Sequence, residues 1–262
     1  MSKTETLKIT NADGVLTVSL NRPDVRNAFN EKLIQELRET FANASKDKNV
    51  RIVVLRGEGP LFSAGGDLNW MRSSLDLSAE ENLKDTTVLV DMFETMNNCT
   101  KPVVGLIHGA AIGGGVGLTS VCDYVVATKE TVFSLAEVRL GIVPACIGPY
   151  VVAKIGETHA RAYFISAERF LAPRAKEIGL IHEVVENASE LDAAGKRITS
   201  NLLQCGPNAI TAAKELVRNL KTKTHKESMT YVAKMLADLR VTPEGQEGLR
   251  AFLEKRKPNW IK

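Results

Sequence analysis

Three short segments carry residue types that could do chemistry together: Gly65-Gly66, Gly113-Gly114-Gly115 and Glu137. Each glycine cluster follows an apolar run that reads as a strand and precedes a run that reads as a helix. Glycine lets a ligand approach the backbone closely, and a helix start points unpaired N–H groups outward with a favourable dipole. Two such N–H groups converging on one oxygen would make an oxyanion hole. Phosphate binding fits less well. No Gly-Lys-Ser/Thr follows either cluster, and the dinucleotide spacing G-x-G-x-x-G, begun at Gly113 and Gly115, ends on Leu118. A tight turn would account for either cluster alone. Glu137 lies among Leu135, Val138 and Leu140, so its carboxylate can be desolvated and its pKa raised toward a range useful for acid–base work. The bland alternative is an exposed glutamate at a strand end.

The elements that must position these segments follow from periodicity. Leu7 to Thr10 and Val15 to Leu20 flank Asn11-Ala12-Asp13-Gly14 as a hairpin, with Leu16, Val18 and Leu20 alternating with polar residues. Arg22-Pro23 ends the second strand. Asn30 can cap a helix in which Leu33, Leu37 and Phe41 recur every fourth residue. Arg51 to Leu55 is a short β-branched strand that feeds the first glycine loop. Ser78-Ala79-Glu80-Glu81 is a capping box, opening a helix with Leu89, Met92, Phe93 and Met96 on one side. Val103 to Ile107 leads to the second glycine cluster, and Tyr124 to Ala127 is a further strand. This alternation predicts an α/β fold of stacked ββα units with both sheet faces covered.

After about Glu186 the pattern turns helical: Ile210 to Leu220, His225 to Leu239, and Pro243 to Lys255 behind an N-cap at Thr242. We therefore divide the chain into a core over 1–190 and a helical C-terminal segment over 191–262. Met229, Val232, Met235 and Leu236 give the segment an apolar face, to be covered by its own core or by a neighbouring subunit.

Composition bounds the function. A hydrophobic share of 44% with 25% charged residues is ordinary for a globular chain with a sizeable core. A net charge of +3 and no clustered basic run beyond Lys255-Arg256-Lys257 argue against nucleic acid as a partner. The four cysteines (Cys99, Cys122, Cys146, Cys205) and four histidines are scattered, which predicts buried free thiols and no protein-held metal. Met1 to Thr10 has neither a signal nor a transit pattern, and no stretch approaches the roughly 20 apolar residues of a membrane span. A cytoplasmic compartment is expected.

The motifs then become specific. Phe62-Ser63-Ala64-Gly65-Gly66-Asp67-Leu68 resembles the F-x-A-G-A-D-[IL] loop of the crotonase (enoyl-CoA hydratase/isomerase) family. Gly109-Ala110-Ala111-Ile112-Gly113-Gly114-Gly115, followed by Cys122-Asp123, resembles its second oxyanion segment. Ala136-Glu137-Val138-Arg139-Leu140-Gly141-Ile142-Val143-Pro144 resembles its catalytic E-x-x-[LI]-G-[LI]-x-P strip. Asn21-Arg22-Pro23 with Asn27-Ala28 resembles the signature at the CoA site, and Phe252-Leu253-Glu254-Lys255-Arg256 the closing helix. The match spans nearly the whole chain in order. Longer strings, including Asp67-Leu68-Asn69-Trp70-Met71 and Pro243-Glu244-Gly245-Gln246-Glu247-Gly248-Leu249-Arg250-Ala251-Phe252, resemble the branch of 3-methylglutaconyl-CoA hydratases of bacterial leucine and acyclic-terpenoid degradation.

The resemblance implies a crotonase-like spiral of ββα units whose C-terminal helices build trimers, often paired into hexamers. It implies an acyl-CoA thioester substrate, with CoA part of that substrate and no separate cofactor. The oxyanion donors would be the N–H groups of Gly66 and Gly114, and Glu137 the acid–base residue. Arg26, Ala28, Ala64, Asp67, Leu68 and Pro144, with Gly66 and Gly114, would line the CoA and substrate path. Gly66 stands where the family commonly has alanine. Gly117 stands where two-glutamate hydratases carry a second carboxylate, so the position either makes room for a branched substrate or simply tolerates a single glutamate. Hydration of a branched enoyl-CoA leads; double-bond isomerisation and a catalytically inactive CoA-binding protein are the alternatives. Arg139, two residues from Glu137, would share its face in an extended strand and meet an acidic tail, or else pair with Glu168 or Glu177.

Overall fold

A computed structural model describes residues 4–261, so Met1 to Lys3 and Lys262 lie outside the described residues. β1 (Leu7–Ala12) and β2 (Val15–Leu20) form the expected hairpin. Asp13 and Gly14 between them take positive φ, 51° and 82°, as a two-residue turn matched to the strand twist requires. α1 (Glu31–Lys46) starts at Asn30, whose side chain accepts the Leu33 N–H at 2.9 Å, and it buries Leu33, Leu37 and Phe41. There follow β3 (Ile52–Gly57), α2 (Leu68–Ser73), α3 (Ala79–Asn97), β4 (Val103–Ile107), β5 (Ala110–Ile112) and α4 (Gly114–Ser120). Next come β6 (Tyr124–Thr128), β7 (Val132–Ser134), α5 (Gly148–Ser166), β8 (Phe170–Leu171), α6 (Ala172–Glu177) and β9 (Glu183–Val185). The chain closes with α7 (Ala188–Leu203), α8 (Pro207–Leu220), α9 (His225–Val241) and α10 (Pro243–Leu253).

The larger sheet runs β1-β2-β3-β4-β6-β9 and is parallel beyond the first hairpin; β5, β7 and β8 form a second, smaller sheet. Parallel strands need cover on both faces, which explains their unbroken apolar runs. Val53, Leu55, Val103 and Val125 pack with Phe41 of α1 and with Met92, Phe93 and Met96 of α3. Ile52, Val54, Val104 and Val126 point to the other face, where Leu191, Ala194 and Ile198 of α7 cover them.

The division at 190/191 therefore falls inside α7, a helix of the core. The helices that leave the core are α8, α9 and α10, and the only residues they bury are Ser228 and Ala251. Met229 and Leu236 of the expected apolar face are exposed, so this chain does not cover them. The cysteines divide as well. Cys99 and Cys122 are buried, whereas Cys146 is half-buried and Cys205 is exposed in the bend after α7. Among the described residues no helix is long and apolar enough to cross a membrane.

Candidate active site

The site begins with a staple. Arg26 and Asn27 both take left-handed backbone (φ 57° and 53°), a costly bend for residues with side chains. The bend carries the fully buried Asn27 side chain beneath the loop after β3. There it donates to the carbonyls of Glu58 and Leu61, at 2.8 and 2.9 Å, and accepts the Arg22 N–H at 2.9 Å. Further bonds fix the first glycine loop: Ala64 N–H to the Arg26 carbonyl at 3.0 Å, and Phe29 N–H to the Gly65 carbonyl at 2.7 Å. Asp67 pairs with Arg22 at 2.8 Å and caps α2 through the Asn69 N–H at 2.8 Å. Burial alone would raise the Asp67 pKa, but these bonds and the Arg22 charge hold it below the usual carboxylate range.

The second glycine segment is stitched to the first. Ser63 N–H donates to the Ala110 carbonyl and Ile112 N–H to the Ser63 carbonyl, each at 3.0 Å. Gly113 ends this run at φ 51° and caps α4 without a side chain. A Cβ on Gly113 would sit 3.0 Å from Oε1 of Glu137, so glycine there lets the carboxylate lie against the start of the helix. Among the described residues, the N–H groups of Gly66 and Gly114 have no backbone partner. Both glycines face one cavity of about 900 Å³, together with Glu137.

Glu137 is the group this cavity leaves under tension. Its Oε2 is buried without a hydrogen-bond partner, and burial raises its pKa above the ordinary carboxylate value. A desolvated carboxylate beside free backbone donors can move a proton while the donors hold developing negative charge. The segment around it departs from expectation. Glu137–Leu140 is a single 3-10 turn closed by Gly141 in left-handed backbone, not an extended strand. Side chains two apart in such a turn diverge widely, at three residues per turn. Arg139 accordingly lies exposed and donates to the Ala167 carbonyl at 3.1 Å. It pairs with neither Glu168 nor Glu177, and it does not line the cavity.

Of the residues expected on the substrate path, Ala64, Gly66, Leu68, Gly114, Glu137 and Pro144 line the cavity. Arg26, Ala28 and Asp67 do not; they hold the loop from behind. Of the two readings of Gly117, room for a branched substrate is not what the structure has, because Ile147 and Phe93 fill the space. Sequence reading has the loops Trp70 to Leu77 and Ala145 to Tyr150 shaping the pocket, and Trp70 and Ile147 do line it. It misses Phe93, which reads only as part of the apolar side of its helix. An apolar residue inside a helix pattern gives no sign of which cavity it will face.

The enoyl-CoA hydratase/isomerase family profile matches residues 10–262. A 2,3-dehydroadipyl-CoA hydratase of Escherichia coli is 31% identical over 247 residues, covering 94% of each chain. A trans-2-decenoyl-[acyl-carrier-protein] isomerase of Streptococcus mutans is 30% identical over 250 residues, covering 95% of each. The crystal structure of an enoyl-CoA hydratase from Shewanella pealeana superposes with a TM-score of 0.95 at 37% identity, over 98% of this chain and 97% of that one.

Proposed function

The chain belongs to the enoyl-CoA hydratase/isomerase family, and from that premise we propose that it adds water across the α,β double bond of a branched acyl-CoA of the 3-methylglutaconyl type. The observation that carries this reading is the unpartnered, desolvated Glu137 carboxylate on the same cavity as the free N–H groups of Gly66 and Gly114. The thioester oxygen accepts both N–H groups. Glu137 takes a proton from water as its oxygen bonds to Cβ, and the displaced π pair moves to Cα and the thioester oxygen. The protonated Glu137 then returns the proton to Cα, so one carboxylate serves as base and acid in turn.

Leu68 and Pro144 give the acyl group apolar walls, while Ala64, with Arg26, Ala28 and Asp67 behind it, shapes the mouth where CoA enters. CoA arrives as part of the substrate, and the scheme calls for no separate cofactor. The reading is of a cytoplasmic homotrimer or homohexamer, because α8 to α10 present apolar side chains that their own subunit leaves uncovered.

A second reading, double-bond isomerisation, is favoured by Gly117. A lone Glu137 moving a proton between Cα and Cγ needs no water and no second carboxylate. Assaying matched 2-enoyl and 3-enoyl thioesters tests both. Hydration of the 2-enoyl ester that is lost in Glu137→Gln supports the hydratase. Interconversion of the two esters without a hydrated product would overturn it, and turnover of neither would leave an inactive CoA-binding protein.

A further inference from the structure

α4 meets the cavity at its first residue and is covered one turn later. Gly114, with its free N–H, stands at the start, and Gly117 lies three residues on, about 4.5 Å along the axis. That second position is covered tightly. A Cβ on Gly117 would lie 2.2 Å from Cγ2 of Ile147 and 2.8 Å from Cε1 of Phe93, so both side chains rest directly on the glycine backbone. Both are buried, and both line the cavity. Phe93 cannot easily yield, because it is held in a row of rings, 6.2 Å from Phe29 and 6.1 Å from Tyr150. Ile147 caps the start of α5 and ends the segment that begins with Glu137.

Gly114, Phe93 and Ile147 line the same cavity, so an acyl group whose thioester oxygen sits on the Gly114 N–H shares that cavity with both side chains. Resting on the acyl-CoA reading above, we propose that Ile147, buttressed by Phe93 against Gly117, is the specificity-determining residue that reads the substituent on the β-carbon. Its branched side chain is stiff at χ1, so the wall has a fixed shape. A β-methyl group packs against Ile147 and gains its burial. A β-ethyl group meets the side chain and is excluded. A fixed apolar wall discriminates by about 10- to 200-fold per carbon.

The test compares Ile147→Ala with the wild type on β-methyl and β-ethyl 2-enoyl-CoA esters. In parallel, calorimetry measures binding of the saturated 3-methylpentanoyl-CoA and 3-ethylpentanoyl-CoA. The ethyl-to-methyl ratio, in kcat/KM and in affinity, should rise at least about tenfold. Ile147→Val, which removes one methylene and leaves the buried wall largely intact, should move it the same way by less. Equal losses on both esters, with an unchanged ratio in both variants, would overturn the proposal by making Ile147 a packing residue only. Failure to bind any CoA ester would instead remove the acyl-CoA reading itself. A shifted binding ratio without hydration would keep Ile147 in its role and move the chemistry to isomerisation.

Discussion

The cavity region, 57–147, and the helical arm, 207–253, treat unsatisfied groups in opposite ways. Among the described residues two buried side-chain atoms lack a hydrogen-bond partner, Oε2 of Glu137 and Nε of Arg56. Only that of Glu137 lies on the cavity, with the two free glycine N–H groups. The arm's polar contacts to the core are numerous. Lys214 pairs with Asp123 at 2.6 Å, Thr211 donates to the Thr100 carbonyl at 3.0 Å, and Lys214 also donates to the Lys101 carbonyl at 2.8 Å. Its apolar groups go unmet. Phe252 and Leu253 are 81% and 77% exposed, and Val241, Leu249 and Leu236 are exposed as well. An unpaired carboxylate oxygen that shares a cavity with free N–H donors marks chemistry, while a row of bare apolar side chains on a polar-anchored arm marks a surface awaiting cover.

The largest effect is expected for Glu137→Gln. It keeps the shape and removes the base, so turnover should fall at least about a hundredfold, with little change in CoA-ester affinity. Near-normal turnover would take Glu137 out of the mechanism. The same variant has a stability signature. The pKa of Glu137 is raised in the fold, so its charged form is disfavoured there relative to the unfolded chain. That penalty is absent below the unfolded carboxylate pKa, grows as pH rises toward the folded pKa, and is complete above it. Urea midpoints should therefore favour Glu137→Gln at pH 7 and show no such gain at pH 4. A variant less stable than wild type at pH 7 would mean that the carboxylate is satisfied after all.

The exposed apolar row is tested at the arm. Replacing Phe252 and Leu253 by serine removes two large apolar side chains from the proposed interface, each worth about 1.5–3 kcal/mol when buried. Sedimentation should show a dissociation constant raised at least about tenfold, with the circular dichroism of the core unchanged. An unchanged assembly, or a wild-type protein that is already monomeric, would return these side chains to ordinary surface.

The two regions were also unequally legible in the sequence. The hairpin, the Asn30 cap, the Ser78 capping box and the Thr242 cap were readable because each rests on a local hydrogen bond that residue type and spacing imply. The glycine segments and Glu137 were readable as a constellation, and the fold brings them to one cavity. The 3-10 turn at Glu137–Leu140 was not, since a short apolar run with one glutamate suits a strand equally well. Nor was the filling of Gly117, because Phe93 and Ile147 arrive from α3 and the start of α5, far away in sequence. The boundary drawn at 190/191 cuts α7, whose Leu191, Ala194 and Ile198 cover the sheet, because a change of pattern along the chain does not say which helix a sheet face will bury.

Arg139 offers a smaller test of how strictly the cavity excludes outside groups. Arg139→Met deletes a hydrogen bond from an exposed guanidinium to the Ala167 carbonyl, worth roughly 1 kcal/mol or less in stability. Its effect on kcat/KM should be equal for a carboxylated branched ester and its uncharged analogue. A rise in KM confined to the carboxylated ester would bring Arg139 to the substrate and require the 3-10 turn to rearrange on binding.

The smallest effect is expected at Gly66, the donor where the family commonly carries alanine. Gly66 is not among the residues with positive φ, so an alanine meets no backbone penalty there. Its Cβ would lie 3.3 Å from Sδ and 3.4 Å from Cγ of Met71, tight but against the end of a flexible side chain that can shift. The N–H that the mechanism uses is untouched by the substitution. Gly66→Ala should therefore keep kcat/KM within about threefold of wild type, the span of roughly half a kcal/mol typical of unobtrusive changes. It should also raise the urea midpoint slightly, since alanine restricts the unfolded chain by about 0.4–1 kcal/mol. A loss of about a hundredfold or more, the size of a missing oxyanion donor, would show that Met71 cannot yield and that the N–H has been turned away. Glycine would then be required for the geometry of this loop, and Met71 would belong to the apparatus that aims the donor.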